Sequence, residues 1–156
     1  MRQATLCFVL YDNRVLLGFK KRGFGSSKYA GFGGKLEPGE SPQEGVVREV
    51  WEECGVSISE EDLMQKGELT FIFPFKPEWD MLVHVFSAKK WSGDPSETEE
   101  MKPRWFELSS LPYAQMWDDY KHWFPRILNG EVVKATFYFK EDNKHVANFK
   151  IFEHNF

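Results

Sequence analysis

Cysteine is scarce in this chain, with Cys7 and Cys54 the only two. Cys7 falls in an apolar stretch that reads as a buried strand, and Cys54 on the apolar side of a helix. A structural disulfide is therefore not expected, and a reducing compartment fits. Long apolar runs are missing as well. The run from Leu6 to Tyr11 is too short for a signal or membrane segment and gives way to Asp12-Asn13-Arg14, so a soluble cytoplasmic protein is expected, with no membrane partner. Basic residues are not in excess, the formal net charge being −4. A nucleic-acid polymer is thus not the expected partner, because polymer binding needs a basic stripe. Internal repeats, linkers and low-complexity segments are lacking too, which leaves a single domain over residues 1–156, expected to work as a monomer.

Aromatic residues are plentiful. They make up 17% of the chain, with 15 Phe and 6 Trp, enough for a core and for an aromatic-lined pocket besides. Ala4 to Leu10 and Val15 to Phe19 read as strands joined by a tight hairpin in which Asp12-Asn13 supplies positive φ angles. Gly23 to Gly39 is a long glycine-rich loop broken by a short extended piece, and a loop of that length in a small domain signals function. Leu69 to Phe73, Met81 to Phe86 and Pro103 to Leu108 read as further strands, with Lys76 to Asp80 as a turn and the acidic Trp91 to Glu100 as a mobile excursion. A second helix runs from Trp117 or Asp118 to Leu128 and stops at Asn129-Gly130. Val132 to Phe139 and His145 to Phe152 form a closing hairpin. Strands before, between and after two helices predict an α+β fold, an α/β/α sandwich with a mixed sheet flanked by helices.

The first helix carries the chemistry. Ser41 is a good N-cap, Pro42 suits the first helical position, Glu44 completes a capping box and Gly55 supplies a left-handed stop, which predicts a helix over Pro42 to Cys54. At about 100° per residue, Glu53 and Glu52 lie within about 60° of Glu49, while Val46, Val47, Val50, Trp51 and Cys54 share another face. Arg48 is one turn from both Glu44 and Glu52 and can pair with either. An acidic helix face is most often merely solvated. Here it follows Gly31-Phe-Gly-Gly-Lys-Leu-Glu-Pro-Gly-Glu40, whose glycines let backbone groups approach a ligand. Oxygen-only donors of this kind suit Mg²⁺, with Mn²⁺ as the alternative. Lys20-Lys21-Arg22, Lys28 and Lys35 concentrate positive charge beside them, as a small phosphorylated ligand would require.

The run from Gly34 to Val56 resembles the signature of the Nudix family, G-x5-E-x7-R-E-U-x-E-E-x-G-U with U aliphatic, and matches it at every fixed position. The resemblance implies that Glu49, Glu52 and Glu53 ligate metal or orient water, that Glu40 and Arg48 brace loop and helix, and that the Gly33 carbonyl joins the metal shell. Glu100 is a further metal ligand or base. Beyond the signature, Lys20-Lys-Arg-Gly-Phe24-Gly, Gly31-Phe32-Gly-Gly-Lys35, Glu100-Met101-Lys-Pro-Arg-Trp-Phe106 and Trp123-Phe-Pro125 are similar to the MutT-homologue branch that hydrolyses oxidised purine nucleoside triphosphates, and the similarity extends to about Leu128. It implies a base pocket lined by Thr5, Phe24, Phe32, Phe71, Phe73, Met81, Met101 and Trp117, with Lys20 nearby and the base edge read by Asp118 and Asp119. This chain departs from that pattern at Ala4 and Ala30, which remove polar reach toward the base. Without a gap in the correspondence Asp119 alone keeps its place and Tyr120 replaces a second acid; with a gap both acids survive. The expected reaction is hydrolysis of a polyphosphate bond, as in 8-oxo-dGTP. ADP-ribose and dinucleoside polyphosphates are the rival substrates, and a silent nucleotide-binding module is the non-enzymatic rival.

Overall fold

In the computed structural model, which describes residues 1–152, alternation along the first strand sets the layers. Strand β1 (Arg2–Tyr11) sends Ala4 and Phe8 to one core cluster and Cys7 and Val9 to another, as a period of two requires. Strand β2 (Arg14–Lys20) divides Val15 and Leu17 from Leu16 in the same way. Asp12 takes the positive φ of the turn between them, at 56°.

The remaining strands are β3 (Tyr29–Ala30), β4 (Leu63–Ile72), β5 (Met81–Ala88), β6 (Met101–Glu107), β7 (Val133–Phe139) and β8 (Val146–Phe152). The sheet runs β3-β2-β1-β5-β4-β7-β8, with β6 paired to β2. β1 with β5 and β4 with β7 are parallel and the other pairs antiparallel, so the sheet is mixed. Helix α1 (Pro42–Cys54) covers one face, packing Val46, Val50 and Cys54 against Cys7, Val9, Leu16 and Phe86. Helix α2 (Tyr120–Leu128) contributes Tyr120, Trp123, Phe124 and Ile127 to the other cluster, with Phe8, Leu69 and Phe137. The expected sandwich is the observed one. Both cysteines are free and buried, and burial pushes the Cys7 thiol up to about 12. Among the described residues no helix is long and apolar enough to cross a membrane.

Three segments differ from the sequence reading. β4 begins at Leu63 rather than Leu69, because Leu63, Met64 and Gln65 continue the ladder with β5, Lys66 being passed over at a register shift between Gln65 and Gly67. α2 begins at Tyr120 with Asp119 as its N-cap, so Trp117 and Asp118 precede the helix. Trp91 to Glu100 is tied down rather than mobile. The Ser96 N–H donates to the Cys54 carbonyl at 2.9 Å and Thr98 Oγ1 to the Glu53 carbonyl at 3.0 Å. Carbonyls at a helix C-terminus lack intrahelical donors, and this polar loop supplies them.

Candidate active site

β1 and β2 part company beyond Leu16, and residues 31–36 fill the gap. The Thr5 N–H donates to the Gly34 carbonyl at 2.9 Å, the Phe32 N–H to Cys7 at 3.1 Å and the Leu36 N–H to Gln3 at 3.0 Å. The fit has no room for a side chain at Gly33, where an added Cβ would lie 1.8 Å from the Thr5 carbonyl oxygen. Gly33→Ala is therefore expected to lift the loop off β1 and destabilise the fold by about 3 kcal/mol. Urea unfolding measures this, and an unchanged midpoint would contradict the packing described.

α1 has the bounds its caps dictate. Ser41 accepts from the Glu44 N–H at 3.1 Å, Glu44 accepts from the Ser41 N–H at 3.0 Å, and Gly55 ends the helix at φ 74°. Glu44 is thereby engaged, so Arg48 does not pair with it. Arg48 instead grips Glu40 with two bonds (2.7 and 3.0 Å) and reaches Glu49 at 3.0 Å, Glu52 at 3.2 Å and the Lys35 carbonyl at 3.3 Å. Bonds from Arg48 and the Glu37 N–H hold the Glu40 carboxyl down at about 2. The guanidinium thus locks the glycine loop onto the acidic face of the helix.

The other acids behave differently. Glu53 accepts from the Gly33 N–H at 2.8 Å, yet burial, reinforced by Glu49 and Glu100, pushes its carboxyl up to about 8. Burial likewise raises Glu49, against the pull of Arg48. The Glu49 carboxylate lies on Gly34, where an added Cβ would stand 2.7 Å from it. Glu100 approaches Arg22 at 3.5 Å.

A cavity of about 560 Å³ brings Glu49, Glu53, Glu100 and Gly33 together with Thr5, Lys20, Phe24, Phe71, Phe73, Met81, Trp117 and Asp119, a volume within the usual range for small-molecule sites. Ala4 and Ala30 line it as well. Asp119 is 3% exposed and accepts from Trp123 Nε1 at 2.7 Å, and burial pushes its carboxyl up to about 6.

Four expected site residues lie elsewhere. Phe32 and Met101 are buried with Val46 and Val50, on the α1 side of the sheet. Asp118 turns away, accepting from the Val146 N–H at 2.8 Å and from Lys121 Nζ at 2.8 Å. Glu52, with its side chain 53% exposed, meets Arg48 outside the cavity lining. Sequence reasoning missed Trp79, Phe139 and Tyr120, all of which line the cavity. Trp79 sits in a stretch that reads as a turn and Phe139 in a strand of the closing hairpin. The Tyr120 hydroxyl, standing where an ungapped correspondence replaces a second acid, accepts from the Gly31 N–H at 3.2 Å.

The donors fit a hard divalent cation, since they are oxygens only and burial disfavours the charged forms of Glu49 and Glu53, a cost that a cation held between them would offset. Among the described residues no three acidic, histidine or cysteine side chains are drawn tightly enough together to hold an ion as they stand. Each acid is turned to a protein partner instead, Glu49 to Arg48, Glu53 to Gly33 and Glu100 to Arg22.

Known proteins resemble this chain in sequence and in fold. The NUDIX domain model matches residues 1–127. The oxidized purine nucleoside triphosphate hydrolase of Mus musculus is 44% identical over 142 residues, covering 91% of this chain and 89% of the relative. The protein of the same name from Danio rerio is 41% identical, with 87% and 85% covered. Among solved structures, a MutT protein from Bacillus halodurans superposes with a TM-score of 0.85 at 25% identity, covering 97% of each chain.

Proposed function

The chain belongs to the Nudix family of hydrolases, and from that premise we propose that it cleaves purine nucleoside triphosphates bearing an oxidised base, such as 8-oxo-dGTP, to the monophosphate and pyrophosphate. Its role on this reading is to cleanse the nucleotide pool of the cytoplasm, acting as a monomer on a small nucleotide. The observation that carries the reading is that the acids of α1 and an aromatic cavity with Asp119 in its wall belong to one enclosure. The two vertebrate relatives, named for this activity, support it.

Glu49, Glu53, Glu100 and the Gly33 carbonyl would hold Mg²⁺ or Mn²⁺, with Glu52 at the margin. When bound, the cation neutralises polyphosphate charge and activates a water for attack at phosphorus. The protein's own groups do the rest. Arg48 fixes Glu49 against the loop, and the Gly33 N–H fixes Oε1 of Glu53. Lys20 and Lys35 line the cavity and offset phosphate charge. Phe71, Phe73, Met81 and Trp117 exclude water from the base. With its carboxyl raised toward neutrality, Asp119 is available in either protonation state, so it can donate to one base edge or accept from another.

Asp119→Asn is expected to cost oxidised-purine triphosphates ~1–3 kcal/mol in kcat/KM, the scale of a lost buried hydrogen bond to a charged or chargeable group. Unmodified dGTP should lose less. Steady-state kinetics on both substrates test the reading, which fails if the substitution leaves them equally affected. With Ala4 and Ala30 in the wall instead of polar side chains, the preference for 8-oxo-dGTP over dGTP is expected to exist but to be modest.

A further inference from the structure

The aromatic rings of the cavity touch in series. Trp117 packs on Phe24 with centroids 5.2 Å apart, Phe24 on Trp79 at 4.8 Å and Trp79 on Phe73 at 5.8 Å. Phe73 stacks on Phe139 at 4.6 Å and 9°. The two ends of this series come from different parts of the chain. Trp117 precedes α2, and Phe139 is the last residue of β7, beyond the stretch matched by the NUDIX model.

One hydrogen bond joins those ends. Phe139 pairs across the hairpin with Val146, and the Val146 N–H donates to Asp118 Oδ2 at 2.8 Å. Asp118 follows Trp117 directly, so the series closes into a collar. The carboxylate is held for this contact. Lys121 Nζ grips Oδ1 at 2.8 Å, and although burial pushes the acid up, the bonds from Lys121 and Val146 outweigh it and keep the carboxyl below its ordinary range. Strand β8 is largely exposed and hydrogen-bonds to β7 alone within the sheet, so its docking depends on a few ties. A second tie is the stack of His122 on Phe149, with centroids 4.3 Å apart.

We propose that Asp118 is a positioning residue for the nucleobase. By latching the hairpin to the segment between Trp117 and Asp119, it sets the spacing between the wall that Phe139 provides and the residues that face the base. This rests on the reading that the cavity receives a purine. Asp118 does not touch the base; it acts through its two chain neighbours and through Phe139.

The test uses the full-length protein in EDTA, titrated with 8-oxo-dGMP and with dGMP and followed by tryptophan fluorescence, so that binding is read without turnover. Asp118→Ala should weaken binding of 8-oxo-dGMP about tenfold, the effect of losing one hydrogen bond to a charged group. With Mg²⁺ present, KM for 8-oxo-dGTP should rise by a similar factor while kcat stays within about twofold. Asp118→Asn keeps an acceptor oxygen and should recover most of the affinity. Val146→Pro removes the donor instead, at the first residue of a strand where proline is tolerated, and should weaken binding without adding to the effect of Asp118→Ala. A wild-type protein that binds neither monophosphate overturns the purine reading itself. A wild-type protein that binds, with Asp118→Ala melting earlier but binding as tightly, overturns only the role of Asp118. So does an Asn variant no better than Ala.

Discussion

Glu53→Gln is expected to lower kcat by at least ~10²-fold while leaving the protein folded, the loss that follows when a charge aimed at the reacting centre is removed. Glutamine preserves the shape of the side chain and its amide oxygen can still accept from the Gly33 N–H, a bond of 2.8 Å in the wild type. The negative charge at the centre of the acidic cluster is what disappears. The same charge is a burden on the fold when no cation is present, because burial raises the Glu53 carboxyl to about 8. A group whose pKa is raised on folding favours the native state at low pH, and that contribution is lost as pH rises through the folded value. In EDTA the wild type should therefore lose stability on titration from about pH 5 to pH 9, and Glu53→Gln should lose less. At pH 9 the inactive variant is expected to melt higher than the active wild type. Calorimetry in EDTA together with kcat in saturating Mg²⁺ reads both halves of the expectation. Near-normal turnover of the variant would remove Glu53 from the centre of the chemistry.

Removal of the metal should have a still larger effect. After dialysis against EDTA, turnover is expected to fall by ~10³-fold or more and to return on adding Mg²⁺ or Mn²⁺, because several kcal/mol of charge stabilisation leave with the ion. Protons compete with the ion for the carboxylate oxygens. With Glu53 protonated below about 8 in the ion-free state, the Mg²⁺ concentration for half-maximal activity should rise as pH is lowered from 8 to 6. Undiminished activity in EDTA would rule out the carboxylate site, and a metal requirement that ignores pH would remove Glu53 from it.

Helix α1 is legible in the sequence because its boundaries are set by local chemistry: Ser41 and Glu44 cap each other and Gly55 takes the left-handed turn. The grip of Arg48 on Glu40 is not legible from helical spacing, since Glu40 lies in the loop before the helix and reaches Arg48 only because that loop folds back along β1. The family signature supplies what spacing does not. The cavity lining is readable only in part. Phe71, Phe73, Met81 and Trp117 line it as the resemblance implies, while Phe32 and Met101 share the apolar character of these residues but point to the opposite face of the sheet. Which of Asp118 and Asp119 turns inward depends on where α2 begins. The helix starts one residue after Asp119, which directs Asp119 to Trp123 and Asp118 to the hairpin. Contacts to the closing hairpin couple residues far apart in sequence, and neither periodicity nor motif encodes them.

The central claim is that one enclosure joins a cation-dependent acidic cluster to a cavity that reads oxidised purines. It is tested most directly by kcat/KM, in saturating Mg²⁺, for 8-oxo-dGTP, 2-oxo-dATP, the unmodified deoxynucleoside triphosphates and ADP-ribose, with products identified. Oxidised purine triphosphates should lead, 8-oxo-dGTP should exceed dGTP by a modest margin, and each triphosphate should yield its monophosphate and pyrophosphate. Equal turnover of dGTP and 8-oxo-dGTP, or preference for ADP-ribose with release of two monophosphates, would contradict the claim.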